Sequence, residues 1–143
     1  MSNDHLKLDK QLCFPLYAAS NLLAKVYRPS LELLGLTYSQ YLVMLVLWER
    51  DSVSVGDLGH CLYLDSGTLT PLLKRMENSG FINRRRDSND ERRVLVSLTT
   101  KGSEIKDLAV NIPKKLSDQL NISNIGELRS EIQSLVQALS KAI

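Results

Sequence analysis

Four apolar residues, Leu69, Leu72, Leu73 and Met76, recur at i, i+3, i+4 and i+7. That spacing lines one face of an α-helix and demands a core beneath it. The opposite face of the same stretch, Tyr63 to Glu77, carries Gly67, Thr68, Thr70, Pro71, Lys74 and Arg75. Small hydroxyls come first along that face and cations follow one turn later. Hydroxyls at a helix N-terminus can reach base edges and thymine methyl groups in a major groove. Lysine and arginine further along can hold phosphates. A single amphipathic helix is also what any surface helix looks like, so the flanking sequence decides its meaning.

Downstream, Gly80 is placed to end the helix. Phe81–Arg86 and Arg92–Thr99 are two extended runs around the polar tip Asp87-Ser-Asn-Asp-Glu91, the pattern of a β-hairpin. Upstream, Ser54-Val-Gly-Asp57 reads as a helix start, with that helix running to Leu62. The order helix, turn, helix, charged hairpin predicts a winged helix-turn-helix, mainly α with a small β-wing. Residues 74–93 hold seven cations against four anions. The whole chain has a net charge of only +2, so the basic character is concentrated on the elements expected to face nucleic acid.

At 143 residues the chain is predicted to be a single domain, 1–143. Its winged core spans about 35–100, and helices at about 8–34 and 101–143 flank it. The first helical pattern runs from Leu8 to Leu34, with Pro15 and Pro29 expected to kink or restart it. Thr37-Tyr-Ser-Gln40 resembles a capping box for a helix from Tyr38 to Glu49. Val53–Val55 offers a third short strand. Thr99 or Thr100 caps a helix from about Lys101, Pro113 interrupts it, and a last helix covers Ile125–Ile143. Leu128, Ile132, Leu135, Val136, Leu139 and Ile143 on that helix are spaced for a partner helix. The flanking helices thus predict a homodimer. Twofold symmetry would set two recognition helices about one DNA turn, ~34 Å, apart on a palindromic double-stranded operator.

No signal-peptide pattern and no membrane-spanning run is present, and two cysteines without a C-x-x-C pattern make neither a disulfide scaffold nor a zinc site. The expected setting is cytoplasmic and reducing. His5 and His60 are isolated, no Gly-rich phosphate loop appears, and no metal or cofactor is expected. Cys61, among Leu58, Leu62 and Tyr63, reads as core. Cys13 is different. Free cysteine is commonly a small buried apolar residue, but Lys10 at i−3 and Tyr17 at i+4 would share its helical face and offer a cation and a hydroxyl.

Three segments together carry a resemblance: Gly35-Leu-Thr-Tyr-Ser-Gln-Tyr-Leu-Val-Met-Leu-Val-Leu-Trp48, Leu64-Asp-Ser-Gly-Thr-Leu-Thr-Pro-Leu-Leu-Lys-Arg75 and Asp90-Glu-Arg-Arg-Val-Leu-Val-Ser-Leu-Thr99. They resemble the MarR family. With Gln11-Leu-Cys-Phe14 and Tyr27-Arg-Pro29 they are similar to its OhrR subgroup, repressors that sense organic hydroperoxides. The resemblance implies a dimeric repressor, not an enzyme, that leaves DNA when an N-terminal cysteine is oxidised. The sensing thiol maps onto Cys13, and tyrosines that hydrogen-bond it across the dimer map onto Tyr27 and Tyr38, with Tyr17 nearby. Base-reading positions map onto Asp65, Ser66, Thr68 and Thr70, the minor-groove wing arginine onto Arg92, and its brace onto Asp90. Lys74, Arg75, Arg84, Arg85 and Arg86 complete the expected DNA-binding set. Two departures stand out. Pro15 occupies a position that relatives fill with a helix former, and no cysteine exists in the C-terminal third to resolve an oxidised Cys13. A low-molecular-weight thiol is therefore the expected partner of the oxidised sulfur, and organic hydroperoxide the oxidant. The competing expectations are a repressor of the same fold released by a small aromatic or phenolic ligand, and a thiol peroxidase.

Overall fold

The computed structural model describes residues 2–143. One compact unit runs to Val110 and a second spans Asn111–Ile143. The first holds α1 (Cys13–Glu32), α2 (Tyr38–Glu49), β1 (Val53–Ser54), α3 (Val55–Leu62), α4 (Ser66–Asn78), β2 (Ile82–Arg86), β3 (Val94–Leu98) and α5 (Thr100–Ala109). The second holds α6 (Ile112–Leu120) and α7 (Ile125–Lys141). This is the winged helix-turn-helix order, mainly helical with one small sheet.

Local chemistry sets most boundaries. At α2 the capping box is complete: Thr37 Oγ1 accepts from the Gln40 amide at 3.3 Å, and Gln40 Oε1 accepts from the Thr37 amide at 3.1 Å. Two otherwise unpaired donors are thereby satisfied. Ser54 caps α3 through the Asp57 amide, Asp65 caps α4 through the Thr68 amide, and Thr99 caps α5 through the Gly102 amide. After α4, Gly80 takes a φ of +84°, a conformation glycine adopts without steric cost.

Pro15 and Pro113 act as helix starters, whereas Pro29 neither ends nor restarts α1, which runs through it to Glu32, and Pro71 lies inside α4. The helix expected from Leu8 begins at Cys13 instead, preceded by two short 3₁₀ turns, Asp4–Leu6 and Leu8–Lys10. Gln11 ties those turns by donating from Nε2 to the carbonyls of His5 and Lys7. Pro15 is the third residue of α1, where a backbone N–H would have no intrahelical acceptor. Similarly, the break expected at Pro113 falls just before it, at Val110–Asn111, and Pro113 sits in the first turn of α6.

The sheet order is β1-β3-β2, all antiparallel, with Val53 opposite Val96 and Arg84 opposite Val96 on the other side. Its inner face, Val53, Ile82 and Val96, packs with Leu69, Leu72, Leu73 and Met76 of α4, Leu58 of α3, Val43, Met44 and Leu47 of α2, and Phe81. The stripe Leu69, Leu72, Leu73 and Met76 is thus the buried underside of α4. Burying each such side chain stabilises the fold by about 1.5–3 kcal/mol, which holds α4 firmly enough to present its other face. The head of α5 seals the base of the wing. A Cβ on Gly102 would collide with the Phe81 carbonyl, and Trp48 Nε1 donates to the Gly102 carbonyl at 2.9 Å. At the cap of α1 and along it, by contrast, Leu12, Phe14 and Leu22 stay exposed, as do Leu128, Ile132 and Leu139 on α7.

Candidate nucleic-acid interface and thiol site

The outer face of α4 is built from its N-terminus. Asp65, the cap, leaves Ser66, Gly67, Thr68 and Thr70 exposed in the first two turns, with Lys74 and Arg75 exposed beyond them. Hydrogen bonds from Thr68, the backbone amide foremost, hold the Asp65 carboxyl below its usual range. Asp65 is therefore a charged acceptor already committed on one oxygen to the helix start.

The wing sorts its arginines by strand period. Along β2, residues two apart share a face. Ile82 points into the core and Arg84 follows it, half-buried, donating from its amide to Glu77 Oε2 at 2.9 Å and from Nη2 to Glu77 Oε1 at 3.2 Å. Arg84 therefore departs from the expectation that it stands with the free DNA-facing cations. Arg85, on the other face, is exposed and makes no ion pair among the described residues. Arg86 donates to the Glu91 carbonyl at 2.7 Å across the wing tip. Arg92 is 92% exposed in its side chain and is held by Asp90, Nε to Oδ1 at 3.1 Å and Nη2 to Oδ2 at 3.4 Å. Those bonds from Arg92 pull the Asp90 carboxyl below its usual range. Arg93 pairs with Asp87 at 3.5 Å. Three of the four local anions are thus spent on wing arginines. Lys74, Arg75, Arg85 and Arg86 are left as unpaired positive charge among the described residues. Between the wing, α4 and the start of α3 lies a crevice of about 480 Å³ lined by Thr70, Arg84, Arg92, Arg93 and Ser54–Gly56.

Cys13 is the first residue of α1 and its thiol is exposed. The expected Lys10 on the same helical face is not there, because Lys10 lies in the preceding 3₁₀ turn. Tyr17 is one helical turn away and exposed. Tyr27 and Tyr38 come together, ring centroids 5.3 Å apart, and Tyr41 joins them at 5.6 Å from Tyr27. Tyr41, expected from sequence only as buried helix core, is buried on α2 and is the third member of the cluster, at i+3 from Tyr38. Burial, with the neighbouring phenols second, pushes Tyr27 up to about 12, and burial raises Tyr38 and Tyr41 as well. All three phenols therefore keep their protons at neutral pH and remain hydrogen-bond donors. Fourteen residues of continuous helix separate Cys13 from Tyr27, about 21 Å at 1.5 Å per residue. A Tyr27 hydroxyl cannot reach the Cys13 of its own chain along α1.

Cys61 is exposed rather than core, with Arg50 Nη2 at 3.4 Å from its sulfur. On α3 the buried residue is Leu58, with Val55 and Leu62 half-buried to one side, and Cys61 falls at the far edge of that stripe. Among the described residues no group of three or more His, Cys, Asp or Glu side chains is placed to hold a metal. No helix is long and apolar enough to cross a membrane.

Comparison with known proteins agrees with this layout. The family model for the transcriptional regulator SarA/Rot matches residues 25–108. An organic hydroperoxide resistance transcriptional regulator of Bacillus subtilis (strain 168) is 49% identical over 139 residues, covering 95% of this chain and 94% of its own. Reduced AbfR bound to DNA superposes with a TM-score of 0.85 at 35% identity, covering 99% of each chain. Overoxidised AbfR bound to DNA does so at 0.81 and 36% identity, covering 100% of each.

Proposed function

The chain belongs to the SarA/Rot family of MarR-type transcriptional regulators and is a relative of an organic hydroperoxide resistance regulator, and from that premise we propose that it is a dimeric repressor released from a palindromic operator when Cys13 is oxidised by an organic hydroperoxide. One observation carries the reading: an exposed thiol at the head of α1, flanked by exposed Leu12 and Phe14, on a helix whose apolar face is uncovered. A second subunit seated on α1 would cover that face, and apolar neighbours there would shelter an alkyl or aryl tail. Tyr27 lies too far along α1 to serve its own Cys13, which is compatible with the arrangement that the family resemblance implies, in which Tyr27 and Tyr38 of a second subunit meet the sulfur.

The chemistry is a two-electron oxidation. The Cys13 thiolate attacks the terminal peroxide oxygen, the O–O bond breaks, and the sulfur takes the OH as a sulfenic acid while the alkoxide takes a proton from solvent and leaves as the alcohol. With no C-terminal cysteine, a low-molecular-weight thiol then displaces water and leaves a mixed disulfide on Cys13. A relative in the overoxidised state has been captured on DNA. Added oxygen atoms alone are therefore the weaker releasing change, and the bulk of the mixed disulfide is the stronger one. It would part the phenols from the sulfur and shift the spacing of the two recognition helices.

On DNA, Ser66, Thr68 and Thr70 read base edges from the first turns of α4, with Asp65 at the cap. Lys74, Arg75, Arg85 and Arg86 hold phosphates, and Arg92, aimed by Asp90, enters a minor groove. The test is binding to an operator recovered by in vitro selection. Reduced protein should bind, and protein treated with cumene hydroperoxide plus a small thiol should not. Cys13→Ser should bind under both conditions. A Cys13→Ser variant that still responds to peroxide would refute thiol sensing. Response to a phenolic ligand surviving that substitution would instead favour the ligand-released alternative.

A further inference from the structure

The DNA-facing helix α4 carries one carboxylate, Glu77, and it bears the wrong charge for a surface that meets phosphates. Its contacts explain why it is there. Strand β2 is an edge strand. Backbone bonds from Thr99 to the Phe81 carbonyl and from Asp87 to the Arg93 carbonyl fix which residues face the ladder. Hydrogen-bonded positions alternate along an antiparallel pair, so the amide of Arg84, opposite Val96, points off the open edge. Glu77 takes up that amide at 2.9 Å and the Arg84 guanidinium at 3.2 Å. One carboxylate at the end of the recognition helix therefore grips both the main chain and the side chain of the middle residue of the wing strand. Arg84 in turn lines the crevice that separates Thr70 from Arg92 and Arg93. Arg85 is the next residue of the strand so held, and Arg93, which follows Arg92, closes the same hairpin by accepting from the Asp87 amide.

We infer that Glu77 is a positioning residue for operator recognition: it fixes the wing against the recognition helix, so that major-groove and minor-groove contacts are made at one register. The inference rests on the DNA-binding reading above and adds to it a residue that touches no DNA. Bulk electrostatics and positioning make opposite predictions. Removing an anion from a DNA face raises affinity for any duplex if charge alone matters. If Glu77 positions the wing, its loss lowers affinity for the operator while affinity for random duplex stays the same or rises.

The experiment compares Glu77→Gln, Arg84→Met and the double variant with wild type, on operator and on random duplex at one fixed salt concentration. Thermal unfolding confirms that each is folded at the assay temperature. Glu77→Gln keeps the side-chain size and an acceptor oxygen while removing the charge. The expected result is about a tenfold fall in the ratio of operator to random-duplex affinity for either single variant. The double variant should fall no further, since both substitutions break one clamp. Should Glu77→Gln fail to fold, Arg84→Met alone carries the same expectation. A parallel rise of both affinities in Glu77→Gln would overturn the inference, as would losses that add in the double variant. Wild type that binds operator no better than random duplex would overturn the DNA-binding reading itself, an outcome separate from both.

Discussion

Replacing Arg92 with Ala tests the wing with a number attached. The side chain is 92% exposed, so its loss removes no core contact and should leave stability within about 0.5 kcal/mol. Its effect is expected on DNA binding, where the proposed function places it. A cation in a narrow minor groove lies between the two phosphate rows and displaces counterions much as a phosphate contact does, so Arg92 is counted as one neutralised phosphate, worth about 0.9 in the slope of log affinity against log salt. A dimer presents two wings, so the slope should flatten by about 1.8. Over a fourfold rise in salt, that difference amounts to about one decade, so the variant should lose about tenfold less affinity than wild type across that range while starting weaker. Asp90 already shares the guanidinium through two hydrogen bonds, which makes this an upper figure. Fluorescence anisotropy of a labelled operator, titrated at four salt concentrations, reads the slope directly. An unchanged slope with unchanged affinity would refute the assignment of Arg92 to the DNA, and a loss of thermal stability would show that the wing was read wrongly as a solvent-facing arm.

Three further outcomes follow from the structure. Gly102→Ala should drive a Cβ into the Phe81 carbonyl and cost about 3 kcal/mol, the upper end of overpacking. A fall of about 10 °C in Tm at fixed protein concentration would register it, and an unchanged Tm would show that α5 stands off the wing base. Thr37→Ala should break the capping box and cost about 1 kcal/mol, read as a shift in denaturant midpoint with unchanged m-value. Acid should weaken the fold through Glu77, Asp65 and Asp90, whose carboxyls are all held low, Glu77 by Arg84 first, Asp65 by Thr68 and Asp90 by Arg92. A folded pKa below the unfolded value gives stability that is present above the unfolded pKa, about 4, and lost as pH falls through the folded one. Denaturation curves should therefore hold level above about pH 5 and decline below it, with a shallower decline in Glu77→Gln.

What the sequence disclosed was whatever local spacing controls. The stripe Leu69, Leu72, Leu73 and Met76 and the Thr37–Gln40 box involve residues at most seven apart, and both stand in the structure where periodicity put them. Pro15 was ambiguous because a proline breaks a helix in its middle and begins one at its start, and only the true first residue, Cys13, decides. The arginine run 84–86 looked uniform as a string of charges. Period-two alternation turns Arg84 inward behind Ile82 and Arg85 outward, a distinction visible in sequence once the strand register is known. Cys61 was misplaced by a single helical position at the edge of a stripe. The Glu77–Arg84 grip and the Trp48–Gly102 bond join different elements, the latter across 54 residues, and no local pattern announces either.

That last bond gives the molecule an optical property. Trp48 is the only tryptophan in the chain. Its indole ring sits edge-on to Tyr41, 6.3 Å between centroids, and its N–H is engaged by the first turn of α5. Tyr41 in turn abuts the Tyr27–Tyr38 pair. Light absorbed by the phenols is therefore delivered to a single emitter, and that emitter is bonded to the helix that closes the wing. Any rearrangement of the tyrosines or of α5 should change the colour or yield of that emission, so the native protein carries its own unlabelled gauge of the region between the tyrosine cluster and the base of the wing.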